Sequence, residues 1–250
     1  RDQPRSRGLG DVYKRQAAKR SDRSMDQFYN HDDKEAEKKK TQYTTFDDAG
    51  RFTGFTVREE GNNVVVTANY KLGCFDQAVW TIAPDGTAAI DFTYNFSGVV
   101  DLMGVMFDYP EDKVLSKRWV GDGPYRVWQN RLHGPQLGVW ENEYNDPIPA
   151  ESFTYPEFKG YFANVQWMTL KTQEGTISIC NRTPQNYVGV YQPRDGRDGL
   201  LYTFPATGIS LMKVIPPVRN KVNTTDLIGP SSQAFWADGA YGGGITLKFE

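Results

Sequence analysis

The stretch 87–96 (TAAIDFTYNF) constrains the fold more than any other. Ile90, Phe92, Tyr94 and Phe96 alternate with Asp91, Thr93 and Asn95. That period of two belongs to a β-strand with one buried and one wet face. The stretch 63–70 (NVVVTANY) is β-branched. Pro84-Asp85-Gly86 separates the run 77–83 from 87–96 with residues suited to a tight turn. Further strands are predicted at 102–109, 114–120, 137–140, 165–171, 176–180, 187–191, 209–214 and 244–249, punctuated by Gly, Pro, Asn and Asp. Only 31–40 (HDDKEAEKKK) has a helical composition, and it is short and polar. With no helices to alternate with the strands, a parallel α/β sheet is excluded. The expected fold is all-β, one large antiparallel β-sandwich.

A length of 250 residues suffices for one large core or two modest ones, and no repeat or linker divides the chain. Aromatics make up 14% and charged residues 24%, outside the range of disordered proteins. No run approaches the roughly 20 apolar residues of a membrane span. The net charge of −2 argues against a nucleic-acid partner. Its distribution is uneven, with 12 Lys+Arg against 8 Asp+Glu in residues 1–40 and 17 against 23 afterwards. The opening run 1–16 (RDQPRSRGLGDVYKRQ) has neither an apolar period nor a signal-peptide core. It resembles a translated sequencing-adapter read-through and is set apart as a tail. The expected domain is then 17–250, with its true N-terminus missing upstream.

Cofactor and metal chemistry find no foothold. Two cysteines, Cys74 and Cys180, and two histidines, His31 and His133, are too few for a metal cage. Walker, dinucleotide and HExxH motifs are absent, and Gly242-Gly243-Gly244 reads as a turn before the last strand. A Cys180–His133 nucleophilic pair is disfavoured because both cysteines fall in strand-like runs, where a buried thiol is inert. Two long loops, 121–135 and 141–161, break the strand pattern, and loops of that length are often functional. The second is rich in proline and aromatics, and its Glu141, Glu143, Asp146, Glu151 and Glu157 are expected to be solvated or hydrogen-bonding. Aromatic rings with Asn, Asp and Glu suit sugars, whose apolar ring faces stack and whose hydroxyls need polar partners. The competing expectation is that these rings plug the end of the sandwich as core.

The run 117–134 (KRWVGDGPYRVWQNRLHG) resembles the W-x-G-x-G-P-x-E-x-Y-x-D-R segment in the C-terminal sandwich of glycoside hydrolase family 2 β-galactosidases. Trp119, Gly121, Gly123, Pro124, Trp128 and Arg131 carry the match, with Tyr125 and Asn130 inside it. Arg126 stands where the family has Glu. Residues 103–114 and 138–140 fit the flanking strands, and 157–175 is similar to a Bacteroides-type branch. The resemblance implies a galactose-mutarotase-like supersandwich that carries no catalytic residue of its own. The catalytic glutamates would lie on an upstream (β/α)8 barrel, which would be its partner together with a terminal β-galactoside or similar carbohydrate. The parent would be periplasmic or extracellular. Two loops would reach the rim of the sugar pocket. The early one, 19–30, would offer Arg20 and Asp22 or Asp26; the late one, 231–244, would offer Trp236. The resemblance implies no cofactor and no metal. A freestanding carbohydrate-binding module and an aldose-epimerase-like enzyme are the alternatives.

Overall fold

The computed structural model describes residues 16–18, 51–100, 102–107, 109, 113–143, 160–190, 209–215 and 235–250. Among these there is no α-helix, and thirteen strands form two antiparallel sheets. The strands are β1 (Gln16–Ala18), β2 (Arg51–Glu60), β3 (Asn63–Lys71), β4 (Phe75–Ile82), β5 (Ala88–Val100), β6 (Leu102–Phe107) and β7 (Val114–Gly123). They continue with β8 (Gln136–Glu143), β9 (Trp167–Thr172), β10 (Gly175–Asn181), β11 (Tyr187–Gly189), β12 (Ile209–Val214) and β13 (Phe235–Phe249). The large sheet runs β2-β3-β4-β5-β13-β10-β9-β7-β8 and the small one β1-β6-β12-β11. The helical stretch expected at 31–40 lies outside the described residues.

The alternation in β5 organises the sandwich. Ile90, Phe92 and Tyr94 are buried while Asp91, Thr93 and Asn95 are exposed. Across the ladder, Ile90 stands opposite Trp80 on one side and Ile245 on the other, so the buried face continues from strand to strand. This face shares one core with Met103, Val105 and Phe107 of β6, Val188 of β11 and Ile209 and Leu211 of β12. Leu102 opens β6 two positions after Val100 closes β5, so the chain changes sheets almost without a loop. Among the described residues the small sheet caps only part of the larger one. At the far edge, Phe52, Phe55 and Val57 of β2 are exposed on the side that Tyr70, Ala68 and Val66 share.

Two expectations are corrected. Gly242, Gly243 and Gly244 do not form a turn; they lie inside β13, whose register with β5 is unbroken from Phe235↔Val100 to Leu247↔Ala88. Glycine is needed there for close approach. A Cβ on Gly243 would sit 2.8 Å from the Phe92 ring and 2.8 Å from Asn186 Nδ2, and one on Gly244 would sit 2.7 Å from Asp91 Oδ1. Nor are the cysteines both buried. Cys180 is exposed on β10, and Cys74 is half-buried just ahead of β4.

Candidate functional site

The 119–131 segment is built as a buckle. Trp119 is 1% exposed, packs edge-on to Phe162 at 4.8 Å, and donates from Nε1 to the Asp122 carbonyl at 3.0 Å. Gly121 and Gly123 leave room for what crosses them. A Cβ on Gly121 would meet Val165 Cα at 2.9 Å, and one on Gly123 would meet the Trp140 ring at 2.5 Å. The Gly123-Pro124 peptide is cis. Beyond it, Val127 and Tyr161 exchange backbone hydrogen bonds at 2.8 and 2.9 Å. Trp128 is buried edge-on to Tyr161 at 6.0 Å, in a second small core with Met212 and Ile215. The Arg126 guanidinium lies 5.4 Å from the centre of the Phe162 ring and is buried. Arg131 is exposed but pairs backbone to backbone with Trp128, the two donating to each other at 2.9 and 3.3 Å. Asn130 is half-buried, and Tyr125 alone of the rings in this stretch faces solvent. Trp119 and Trp128 are core, and the segment ties the β7–β8 hairpin to residues 160–166.

Trp236 has the opposite setting. It lies at the start of β13, opposite Val99, and is 69% exposed. The next outward position of β13, Asp238, accepts a hydrogen bond from Ser97 Oγ at 2.7 Å. The outward position after Ser97 on β5 is Asn95, whose amide donates to the Asp76 carboxylate. The Asn95 N–H also donates to the Cys74 carbonyl at 2.6 Å, which tethers the loop before β4 to this edge. The Asp238 N–H donates to Tyr241 Oη at 2.9 Å, and Tyr241 stacks on the core residue Tyr94 at 5.7 Å. An exposed indole is thus followed by two hydrogen-bonded polar pairs on one face, anchored to the core. Such an edge can stack on an apolar ring and exchange hydrogen bonds with hydroxyls.

Of the rim residues expected from the sequence, Trp236 lies among the described residues, beside Asp238, Ser97, Asn95 and Asp76, which sequence reasoning did not single out. The signal was present: Asp91, Thr93, Asn95 and Ser97 are the wet half of the β5 alternation. What could not be read was their pairing with a distant strand. Arg20, Asp22 and Asp26 lie outside the described residues, as do Asp146, Glu151 and Glu157. Glu141 and Glu143 are exposed on β8, and His133 is exposed in its loop. Among the described residues, no three His, Cys, Asp or Glu side chains gather to hold a metal ion.

Comparison with known proteins follows from this geometry. The sequence pattern of a family described as beta galactosidase small chain matches residues 11–209. The match takes in the whole 119–131 segment and ends before β13. Among curated proteins, none matches. Galactose 1-epimerase from Lactobacillus acidophilus NCFM is 10% identical with a TM-score of 0.43, covering 78% of this chain and 65% of its own. This chain therefore spans less than two thirds of that enzyme. A GalM/aldose epimerase homologue from C. elegans is 9% identical with a TM-score of 0.30, covering 78% of this chain and 68% of its own. Lysyl oxidase from Pichia pastoris is 9% identical with a TM-score of 0.28, covering 77% and 36%.

Proposed function

The chain belongs to the beta galactosidase small-chain family, and on that premise we propose that it is the non-catalytic sandwich of a β-galactosidase-type glycoside hydrolase. In this reading it supports the catalytic part and lends the Trp236 edge to the rim of the sugar pocket. The observation that carries the reading is Trp236, 69% exposed beside the Ser97–Asp238 pair. An exposed indole on a strand costs solvation unless something covers it, and a sugar face does so while its hydroxyls reach Asp238 and Asn95. Retaining hydrolysis needs two carboxyl groups about 5–5.5 Å apart, one acting as acid and base and the other as nucleophile. Asp238 and Asp76 each accept a hydrogen bond from a neighbouring side chain, and in this reading their role is binding. In this reading the catalytic pair belongs to an upstream barrel, and the substrate is a terminal β-linked galactoside or a close relative. Glycoside hydrolase family 2 is the corresponding assignment.

The test is reconstitution with the catalytic part of the same enzyme and kinetics on an aryl β-galactoside. Trp236→Ala should raise KM roughly tenfold, equivalent to about 1.4 kcal/mol of lost binding, with the Tm unchanged. An unchanged KM removes Trp236 from the rim. Hydrolysis by the isolated chain overturns the non-catalytic reading.

A further inference from the structure

A groove of about 350 Å³ lies on the outer face of the large sheet, across β9, β10 and β13. That is the lower end of the roughly 300–1,000 Å³ typical of small-ligand clefts. Its floor follows from two cross-strand rows. One row is Trp167, Cys180 and Thr246; the other is Thr169, Ser178 and Lys248. Short side chains fill the centre, while the Trp167 indole, 37% exposed, stands at one end and Lys248 at the other. On an outward sheet face, this contrast of long and short side chains is what makes a recess.

The lining chemistry selects the ligand. A purely apolar guest would strip water from the hydroxyls of Thr169, Ser178 and Thr246 without replacing their hydrogen bonds. An anionic guest meets an ammonium already engaged. Lys248 Nζ is 2.9 Å from Glu250 Oε1 and 4.0 Å from Asp85 Oδ2, so this end holds two carboxylates for one cation. What fits is a neutral molecule with one apolar face for the indole and hydroxyls spaced for donors and acceptors about 5 Å apart across strands. We propose that this groove is a second carbohydrate-docking site, taking one or two hexopyranose units against Trp167. It is separate from the Trp236 edge. Thr246 and Trp236 are ten residues apart on one strand, about 33 Å at roughly 3.3 Å per residue. The groove's own side chains carry the assignment; only the choice of a galactoside as first probe rests on the proposed function.

Cys180 reports on occupancy because it is an exposed thiol in the groove. In the full chain with Cys74→Ser, the alkylation rate of Cys180 is measured against methyl β-galactoside, β-1,4-galactotetraose and methyl β-glucoside. A sugar at twice its Kd should slow alkylation about threefold. Trp167→Ala should abolish the protection and Trp236→Ala should leave it intact. Ser178→Arg, which fills the groove from the solvent side, is the second variant should Trp167→Ala fail to fold. Protection by the glucoside alone keeps the groove and changes the sugar. An alkylation rate indifferent to all three glycosides, or protection that survives both groove variants, overturns the proposal. A null result for Trp236 in the kinetic assay leaves this experiment unaffected.

Discussion

Trp119 and Trp236 are the same residue type on strands of the same sheet, and they should respond to truncation in opposite ways. Trp119 is 1% exposed, edge-on to Phe162 and hydrogen-bonded to the Asp122 carbonyl. Trp119→Ala removes the indole and leaves a cavity between β7 and residues 160–166, for which large-to-small core changes of this kind cost about 3–5 kcal/mol. The aromatic pair with Phe162 accounts for roughly 0.5–1.5 kcal/mol of this type of interaction. Domains of this kind have only about 5–15 kcal/mol in total, so the variant should sit near the edge of folding. At roughly 2–4 °C per kcal/mol for a chain of this size, the Tm should fall by about 6–20 °C. Trp119→Phe keeps most of the ring, loses the hydrogen bond, and should fall in between. Trp236, 69% exposed, should change stability by less than about 0.5 kcal/mol on truncation. Urea unfolding followed by circular dichroism, with calorimetry for the Tm, measures all three. A Trp119→Ala loss below about 1 kcal/mol, or a Trp236→Ala loss of equal size, would refute the division into buckle and binding edge.

Gly123→Ala should destabilise by about 1–3 kcal/mol through overpacking, since its Cβ would lie 2.5 Å from the Trp140 ring; chemical denaturation checks this. Gly160→Ala should cost about 1–3 kcal/mol of backbone strain, because φ is 141° there and the new Cβ would meet the Val127 carbonyl oxygen at 2.5 Å; the same denaturation assay reads it. Asp85 accepts hydrogen bonds from the Thr87 backbone N–H and hydroxyl, both at 3.0 Å, which hold its carboxyl below the usual 3.8. Because the folded value is the lower one, the stabilisation is present above 3.8 and disappears as pH falls through the folded value. NMR titration should place the Asp85 midpoint below 3.8, and Thr87→Val should raise it.

Much of the fold was legible because it rests on a local rule. The alternation around Phe92 needs only neighbouring residues to reveal a strand with a buried and a wet face, and the turn at Asp85-Gly86 needs only its own conformational preferences. The glycine run was misread because local information is ambiguous there. Three consecutive glycines favour a turn in isolation, but β5 presents a continuous ladder and the Phe92 ring requires the empty space at Gly243. Cys180 was misread for a similar reason. A strand-like run does not tell which parity faces the core, and Cys180 shares the outward row with Trp167 and Thr246. The 119–131 segment was found as a pattern, yet its role was not readable. Its tight spots are made by Val165 against Gly121, Trp140 against Gly123 and Gly160 against Val127, contacts that exist only after folding.

The position of the candidate site follows from what the two faces of the large sheet must do. Around β5 the inward face is committed to the core, as the burial of Ile90, Phe92 and Tyr94 shows, and the polar groups it holds further along the sheet, Lys117 and Asn181, are buried. The two candidate sites lie on the outward rows and at the ends of the strands. β13 supplies both, because Phe235–Phe249 is long enough to carry Trp236 and Asp238 at one end and Thr246 and Lys248 at the other. Between them β13 carries only Ala240, Gly242 and Gly244 on this face, and at roughly 3.3 Å per residue Trp236 and Thr246 lie about 33 Å apart, which sets the two ends apart as separate sites. If they formed one continuous track instead, Trp167→Ala would weaken binding at the Trp236 edge. The prediction is the reverse: in the reconstituted enzyme Trp167→Ala should leave the KM for a small aryl galactoside unchanged, while Trp236→Ala raises it.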